Sequence, residues 1–346
     1  MDDVLDIKPG DHILVSRSDR LGDLILALPF VETLKLRYPD CRVDVLASLY
    51  ASPILENNDR IDSIVRVQND QLVASRHYRK ELEQKIKKAD YKVVVALYPE
   101  RHISRMFYQL HIPHRVGTAG RFHSVFFNHR LMHSRKANKK HEQEYNLDFL
   151  KYFKDGPTVT TPRVHPTRKE LDHARRLLKE VGVDGDFVVV HPGSGGSADR
   201  WPMERFVEFY RELEKEGVPA VVTGSEEEGR QIDEVAARLG VRLRSITGST
   251  DLRTLAAVLS RANLAVANST GPLHLAVAVG TRVVGLYPRR KIMSPVRWGP
   301  VGEGHKVIQP LEPDCQCPPR QCHCMDTITV ERVTEAARVV YGSYAT

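Results

Sequence analysis

No apolar run in these 346 residues approaches the roughly 20 that a bilayer-spanning helix requires, and no secretory leader is visible. The chain is therefore expected to be made and kept in the cytoplasm. Cysteine is scarce: Cys41 stands alone and the other four crowd into Cys315–Cys324, which is unlike the disulfide framework of a secreted protein. Glycine is scarce where it would be most telling. Residues 14–30, LVSRSDRLGDLILALPF, have the strand–turn–helix look of a nucleotide-binding loop, yet offer one glycine where a dinucleotide loop uses about three. Acid is missing from a whole region: from Arg101 through His141 there is no Asp or Glu, against nine Lys/Arg and seven of the fifteen histidines.

What is present is ordinary globular composition, 41% hydrophobic and 27% charged, at a length that suggests about two domains. The formal charge of +7 predicts an anionic partner, whether nucleic acid, an acidic membrane surface or a phosphorylated substrate. Short β-branched runs at 12–16, 42–46, 63–67 and 92–97 are separated by helix-length stretches, the β-α-β-α order of a parallel sheet. After a helical segment near 142–153, residues 154–168 read as a linker. The alternation then restarts, with strands expected at 187–191, 219–223, 241–246, 263–267 and 283–287. Helices are expected near 203–216, 226–239, 251–260 and 272–279, and a last one spans Thr329 to Tyr341. The simplest reading is two doubly wound α/β domains, with a ligand at the carboxyl ends of their strands.

Four strand ends are chemically loaded. The first carries Arg17, Asp19, Arg20 and Asp23, with Asp23 either a helix cap or a reacting group. The second is HPGSGGSADRWP at 191–202, whose small residues expose N–H groups beside Arg200, either a phosphate loop or a plain turn. In the third, Gly224 and Ser225 end a strand and Glu226 begins a helix, as a grip on ribose hydroxyls or as an N-terminal helix acid. The fourth, at 265–281, aims the amides and hydroxyls of Ser269, Thr270 and Gly271 and the His274 imidazole at one point. That suits a diphosphate, or else a well-capped helix with a surface histidine.

Together these features resemble the ADP-heptose:lipopolysaccharide heptosyltransferases of glycosyltransferase family 9. The marks are Arg20-Leu21-Gly22-Asp23 with Leu28-Pro29, then His141, Glu142 and Asn146, then HPG with Trp201-Pro202, the GSEEE turn and STGPLHLAVAVGT. The resemblance implies a GT-B fold of two facing Rossmann-like domains: an acceptor domain at 1–165, a nucleotide-sugar domain at 166–326, and a C-terminal helix at 327–346 packing back on the first. It implies donor contacts at Gly193, Ser194, Arg200, Glu226 (ribose), Thr250 (base), Ser269, Thr270, Gly271 and His274. Two departures from the family pattern stand out. Asp199-Arg200 replaces a lysine before Trp201-Pro202, so that role passes to Arg200, and Ser269 replaces a frequent aspartate.

The acid-free middle, interleaved with Phe107, Tyr108, Phe122, Phe126 and Phe127, reads either as a solvated basic face or as a surface for a phosphorylated lipid at the acidic, cytoplasmic face of the inner membrane. Arg101, Arg105, Arg115 and Arg121 are the candidate acceptor contacts there, joined by Arg17 and Arg20. Displacing a nucleoside diphosphate from an anomeric carbon needs a base on one side and hydrogen-bond donors on the other. Asp23 is the expected base, held ionised at neutral pH by its helix terminus, and one carboxylate without a nucleophile partner points to single displacement with inversion. The lone Asp-x-Asp triplet, Asp184-Gly185-Asp186, precedes a strand and reads as a turn, so no catalytic metal is expected. Cys315, Cys317, Cys322 and Cys324 have a spacing that could hold structural zinc or an iron–sulfur cluster, or form only a local cysteine cluster. The rival functions are another GT-B activity, by transfer or epimerisation of a different nucleotide sugar, and nucleic-acid binding. The second would leave the loaded strand ends without a purpose, so no nucleic-acid partner is expected.

Overall fold

Val93-Val94-Val95-Ala96 is buried at every position, as a strand covered on both faces demands, and similar runs build both sheets of the computed structural model. The structure describes residues 4–120, 122–195, 199–311 and 323–342. The chain divides into two compact units, Met1–Pro162 and Arg163–Thr346, against an expected boundary after residue 165.

Among the described residues the first unit holds β1 (His12–Ser16), β2 (Arg42–Ser48), β3 (Ser63–Val67), β4 (Val93–Ala96), β5 (His114–Thr118) and β6 (His129–Leu131). They form one parallel sheet in the order β3-β2-β1-β4-β5-β6, with Ile13 registered between Val43 and Val93. The order reverses between β1 and β4. Connections from these two strands leave toward opposite faces, which opens a crevice at their carboxyl ends. Leu14, Leu46, Val65 and Val94 meet Leu82 and Ile86 of the helix Arg76–Ala89, and Ile103, Met106 and Phe107 of the helix Arg101–Gln109. Ser75 caps the first of these helices by accepting the Tyr78 N–H, and Asp90 ends it in the left-handed region at φ 52°. β5 and β6 lie inside the basic stretch, where no strand was expected.

The second unit holds β7 (Val188–His191), β8 (Ala220–Val222), β9 (Leu264–Asn268), β10 (Val283–Leu286) and β11 (Lys306–Ile308), parallel in the order β11-β10-β9-β7-β8. Its reversal lies between β7 and β9. The strand expected at 241–246 is reduced to a single bridge between Val222 and Ser245, although Val241 and Leu243 still pack against the second core. Trp201, Phe206, Phe209, Tyr210 and Leu213 fill the core over Val188, Val190, Val266, Val284 and Leu286. The Trp201 and Phe206 rings meet edge-on, 4.9 Å between centroids.

The final helix, Val330–Gly342, sends Val330, Val333, Ala336, Ala337 and Val340 into this same core. Its apolar face thus contributes to the core of the second unit. The linker is also less free than its composition suggests. Arg37 donates to the carbonyls of Lys154, Gly156 and Pro157 and to the Thr158 hydroxyl at 2.8–3.1 Å, and so binds residues 154–158 to the first unit.

Candidate active site

In the first unit the site is organised by a buried guanidinium. Arg17 follows β1 at the sheet's reversal and is only 1% exposed. Its Nε donates to Asp19 Oδ1 at 2.8 Å and its Nη2 to Asp23 Oδ1. Nη1 and Nη2 both reach Glu142 Oε1 at 3.1 Å, and Nη1 also reaches Asn146 Oδ1 at 3.1 Å. A buried charge is tolerated only when its donors are satisfied, and here they are. Asn146 in turn donates to the Leu26 carbonyl at 3.0 Å, tying the helix Glu142–Leu147 to the segment that follows Asp23. The RLGD loop and the HEQEYN helix, distant in sequence, therefore meet on one side chain. This removes Arg17 from the expected acceptor contacts, because its donors are spent inside the protein.

Asp23 is the third residue of the short helix Leu21–Ile25, and its side chain is 13% exposed. Burial raises its pKa most and the nearby Asp19 and Glu142 carboxylates add to this; Arg17 opposes them, and the carboxyl is pushed up to about 7. The expectation that a helix terminus keeps Asp23 ionised is corrected accordingly. Desolvation among carboxyls outweighs a dipole of five residues. A carboxyl poised near neutrality can take and hold a proton at working pH, as a general base must.

Of the expected acceptor cations, Arg20 is exposed beside this loop, and Arg101 and Arg105 line the exposed face of the helix Arg101–Gln109. Arg115 is committed elsewhere. Its guanidinium donates to the Phe126 and Ile112 carbonyls and lies 5.5 Å from the Tyr108 ring centre, so it serves as a mount for the turn Phe122–Phe126. Phe127 anchors the other side of that turn, its ring occupying the place where Gly117 would carry a side chain. Phe122 (85% exposed), Val125 and Met132 are left in solvent. Arg121 lies outside the described residues.

In the second unit the loops after β7, β8 and β9 are laced by two side chains. Asn268 accepts the Trp201 N–H and donates to the Pro192 carbonyl, both at 2.9 Å, so Gly193 and Ser194 are brought beside Ser269, Thr270 and Gly271. Glu228 accepts the Ser225 N–H at 2.9 Å and the Gly195 N–H at 3.4 Å. Its carboxylate fills the space at Gly193, where a Cβ would sit 2.2 Å from Oε1. The Thr270 hydroxyl donates back to the Asn268 carbonyl at 3.2 Å, and no side chain caps the helix Gly271–Ala278. The N–H groups of its first turn, at Gly271 and Leu273, thus have no capping side chain, the arrangement that suits an anion.

Glu226 is exposed at the first position of its helix and backed by Gly248; Thr250 is half-buried just before Asp251, which caps the next helix. Arg200 is exposed and reaches Gln231 at 3.4 Å. His274 is buried, 4% exposed, in place of the surface histidine the sequence allowed. His191, buried against Thr223 Oγ1 at 2.9 Å, is driven down to about 4 by desolvation and is neutral.

Sequence reasoning missed four participants. Asn268 gives no signal beyond a polar residue in a turn, while Glu228 is signalled only as the acid of a Ser225-x-x-Glu228 capping box, not as a partner of the 193–195 loop. Arg135, whose Nε lies 3.2 Å from Glu142 Oε1, and Arg290, paired with Asp199 at 2.8 Å, were visible only as members of basic runs. Asp184-Gly185-Asp186 is exposed at the amino end of β7, away from these loops, with Gly185 at φ 118°. Cys324 is half-buried against the second core; Cys315, Cys317 and Cys322 lie outside the described residues. No helix among the described residues is long and apolar enough to cross a membrane.

Residues 79–326 match the family model described as glycosyltransferase family 9 (heptosyltransferase). A putative glycosyltransferase of Haemophilus influenzae is 27% identical over 321 residues, covering 89% of this chain and 90% of that protein. Lipopolysaccharide heptosyltransferase 2 of Salmonella typhimurium is 23% identical, covering 80% and 82%. The solved structure of the E. coli ADP-heptose lipopolysaccharide heptosyltransferase II superposes with a TM-score of 0.79 at 19% identity, over 97% of this chain and all of that one. The two doubly wound units are thus those of a GT-B fold.

Proposed function

This chain belongs to glycosyltransferase family 9, the heptosyltransferases, and on that footing we propose that it moves a heptose from ADP-heptose to the Kdo/inner-core region of lipopolysaccharide, with inversion and without a catalytic metal. The enzyme is a glycosyltransferase; the donor, acceptor and stereochemistry are the finer part of the reading. The observation that carries it is the Asp23 carboxyl, poised near neutrality on a buried Arg17 at the reversal of the first sheet.

Asp23 takes the proton of the acceptor hydroxyl as its oxygen bonds to the anomeric carbon. The bond from that carbon to the diphosphate breaks on the opposite face, which inverts the centre. The departing ADP gathers negative charge, and the amides of Gly271, Gly193 and Ser194, the Ser269 hydroxyl and Arg200 receive it, while Thr270, its hydroxyl spent on the Asn268 carbonyl, shapes the turn. Glu226 takes the ribose hydroxyls, Thr250 lies toward the base, and His274 stiffens the phosphate-facing turn from within. Charge stabilisation by amides and a guanidinium does what a divalent ion does elsewhere, and the one Asp-x-Asp triplet lies at the wrong end of β7.

Arg20, Arg101 and Arg105 are the acceptor-facing cations. The rigidly mounted Phe122 and Val125, in a region without acid, suit peripheral contact with an acidic leaflet. The cysteine cluster, if it holds zinc or iron, would tether the start of the final helix.

Incubation with ADP-heptose and a Kdo-bearing lipid A acceptor tests the whole reading. ADP release that depends on acceptor is the expected result. No release with this donor, but release with another nucleotide sugar, would reassign the donor and keep the fold's chemistry.

A further inference from the structure

The cluster around Asp23 contains more than the base and its guanidinium. Glu142, fully buried, shares one oxygen between both terminal nitrogens of Arg17 and the Nε of Arg135. Arg135 is itself nearly buried. It donates to the Leu97 carbonyl at 3.1 Å, just past β4, and its guanidinium lies 5.6 Å from the Tyr145 ring centre. Arg17 also lies over Tyr98, 5.7 Å from its ring centre. Two guanidiniums therefore face three carboxyls, Asp19, Asp23 and Glu142, in a place with little water. Glu142 is sealed from solvent, whereas Asp23 keeps a partly exposed side chain.

We propose that Glu142 and Arg135 are positioning residues of the transfer reaction: Glu142 holds the Arg17 guanidinium against Asp23, and Arg135 sets how much negative charge Glu142 brings to that contact. The inference rests on Asp23 being the base. Its physical content is a sign. An ionised Glu142 disfavours a second negative charge on Asp23, while Arg135 cancels part of that effect. The charged groups facing Asp23 are Arg17, Asp19 and Glu142, with Arg135 behind Glu142, so each removal moves the base in a definable direction.

The test is the pH profile of kcat/KM for acceptor-dependent ADP release. Glu142→Gln keeps an oxygen for Arg17 but removes the charge, so ionised Asp23 becomes easier to form. Its acid limb is expected to move down by about one pH unit. Arg135→Gln leaves Glu142 compensated by Arg17 alone, and the limb is expected to move up by a smaller amount in the same assay. Opposite shifts from two neighbours are not the mark of a merely structural role, which lowers the plateau and leaves the limb in place.

Unmoved limbs in both variants, or shifts of the same sign, would overturn the inference. Should Glu142→Gln fail to fold, Arg135→Gln alone decides by the direction of its shift. Asp23→Asn separates the two readings. If it transfers normally, the base assignment fails and takes this inference with it; if it is inactive while the limbs stay fixed, only this inference fails.

Discussion

Asn268 and Trp201, 67 residues apart, are joined where the second sheet reverses: the Asn268 carboxamide accepts the Trp201 N–H and donates to the Pro192 carbonyl, each at 2.9 Å. All three groups are buried. Asn268→Ala leaves an amide and a carbonyl without partners and is expected to cost about 3 kcal/mol of stability. It should also loosen the 193–195 loop, so ADP affinity should fall with the melting temperature. Thermal unfolding with and without ADP checks both, and an unchanged midpoint would remove Asn268 from this role.

Asp23→Asn should lower transfer by about 10²–10⁴-fold and leave ADP binding intact by calorimetry. In the unmutated enzyme kcat/KM should fall tenfold per pH unit below about 7, where the base is protonated.

The same group has a stability signature. Its folded pKa lies above the ordinary 3.8, so the native state binds more protons than the unfolded chain between those values, and stability falls as pH rises from about 4 to about 7. Asp23→Asn should therefore raise the melting temperature most above neutral pH, with the gain fading toward pH 4. A gain that grows on acidification would contradict the raised pKa.

Gly193→Ala sets a methyl group 2.2 Å from Glu228 Oε1, so either the loop or the carboxylate must move. ADP affinity should fall about tenfold. Glu228→Ala opens that space, so the cycle of single and double variants should show a coupling of about 1 kcal/mol or more. Additive effects would mean the two loops are not laced through this carboxylate.

Phe122→Ser combined with Val125→Ser should weaken pelleting with vesicles of phosphatidylcholine and phosphatidylglycerol about tenfold or more, since each side chain withdraws an apolar insertion. Added salt should weaken it further. Pelleting that ignores both substitutions would place any membrane contact elsewhere.

Much of the fold was legible because its strands are short buried runs: β1 and β3 fall on the expected 12–16 and 63–67. The helices Met203–Lys215 and Glu226–Arg238 lie within a residue of expectation at each end. β5 escaped notice because HRVGT begins with two polar residues and only its last three are buried. The site was legible as a set of turns but not as a set of partnerships. An arginine in a sequence reads as a surface cation, since such residues are rarely buried unless paired. Arg17 finds its partner 125 residues away in Glu142, and no local pattern carries that information. The Asp23 pKa was misjudged for a related reason: the helix terminus and Asp19 are local, while the burial that raises it most comes from the folded surroundings and Glu142 adds to it from far along the chain.

Arg37 makes fixed chain out of what reads as a free linker. With residues 154–158 bound by its guanidinium, the Val159 N–H held by Thr33 and the Thr160 carbonyl by Gln143, the first unit keeps its grip as far as Thr160. The second takes hold at Val164, whose N–H donates to the Ala278 carbonyl. What composition marks as a linker is thus chain held to one unit or the other along nearly all of its length.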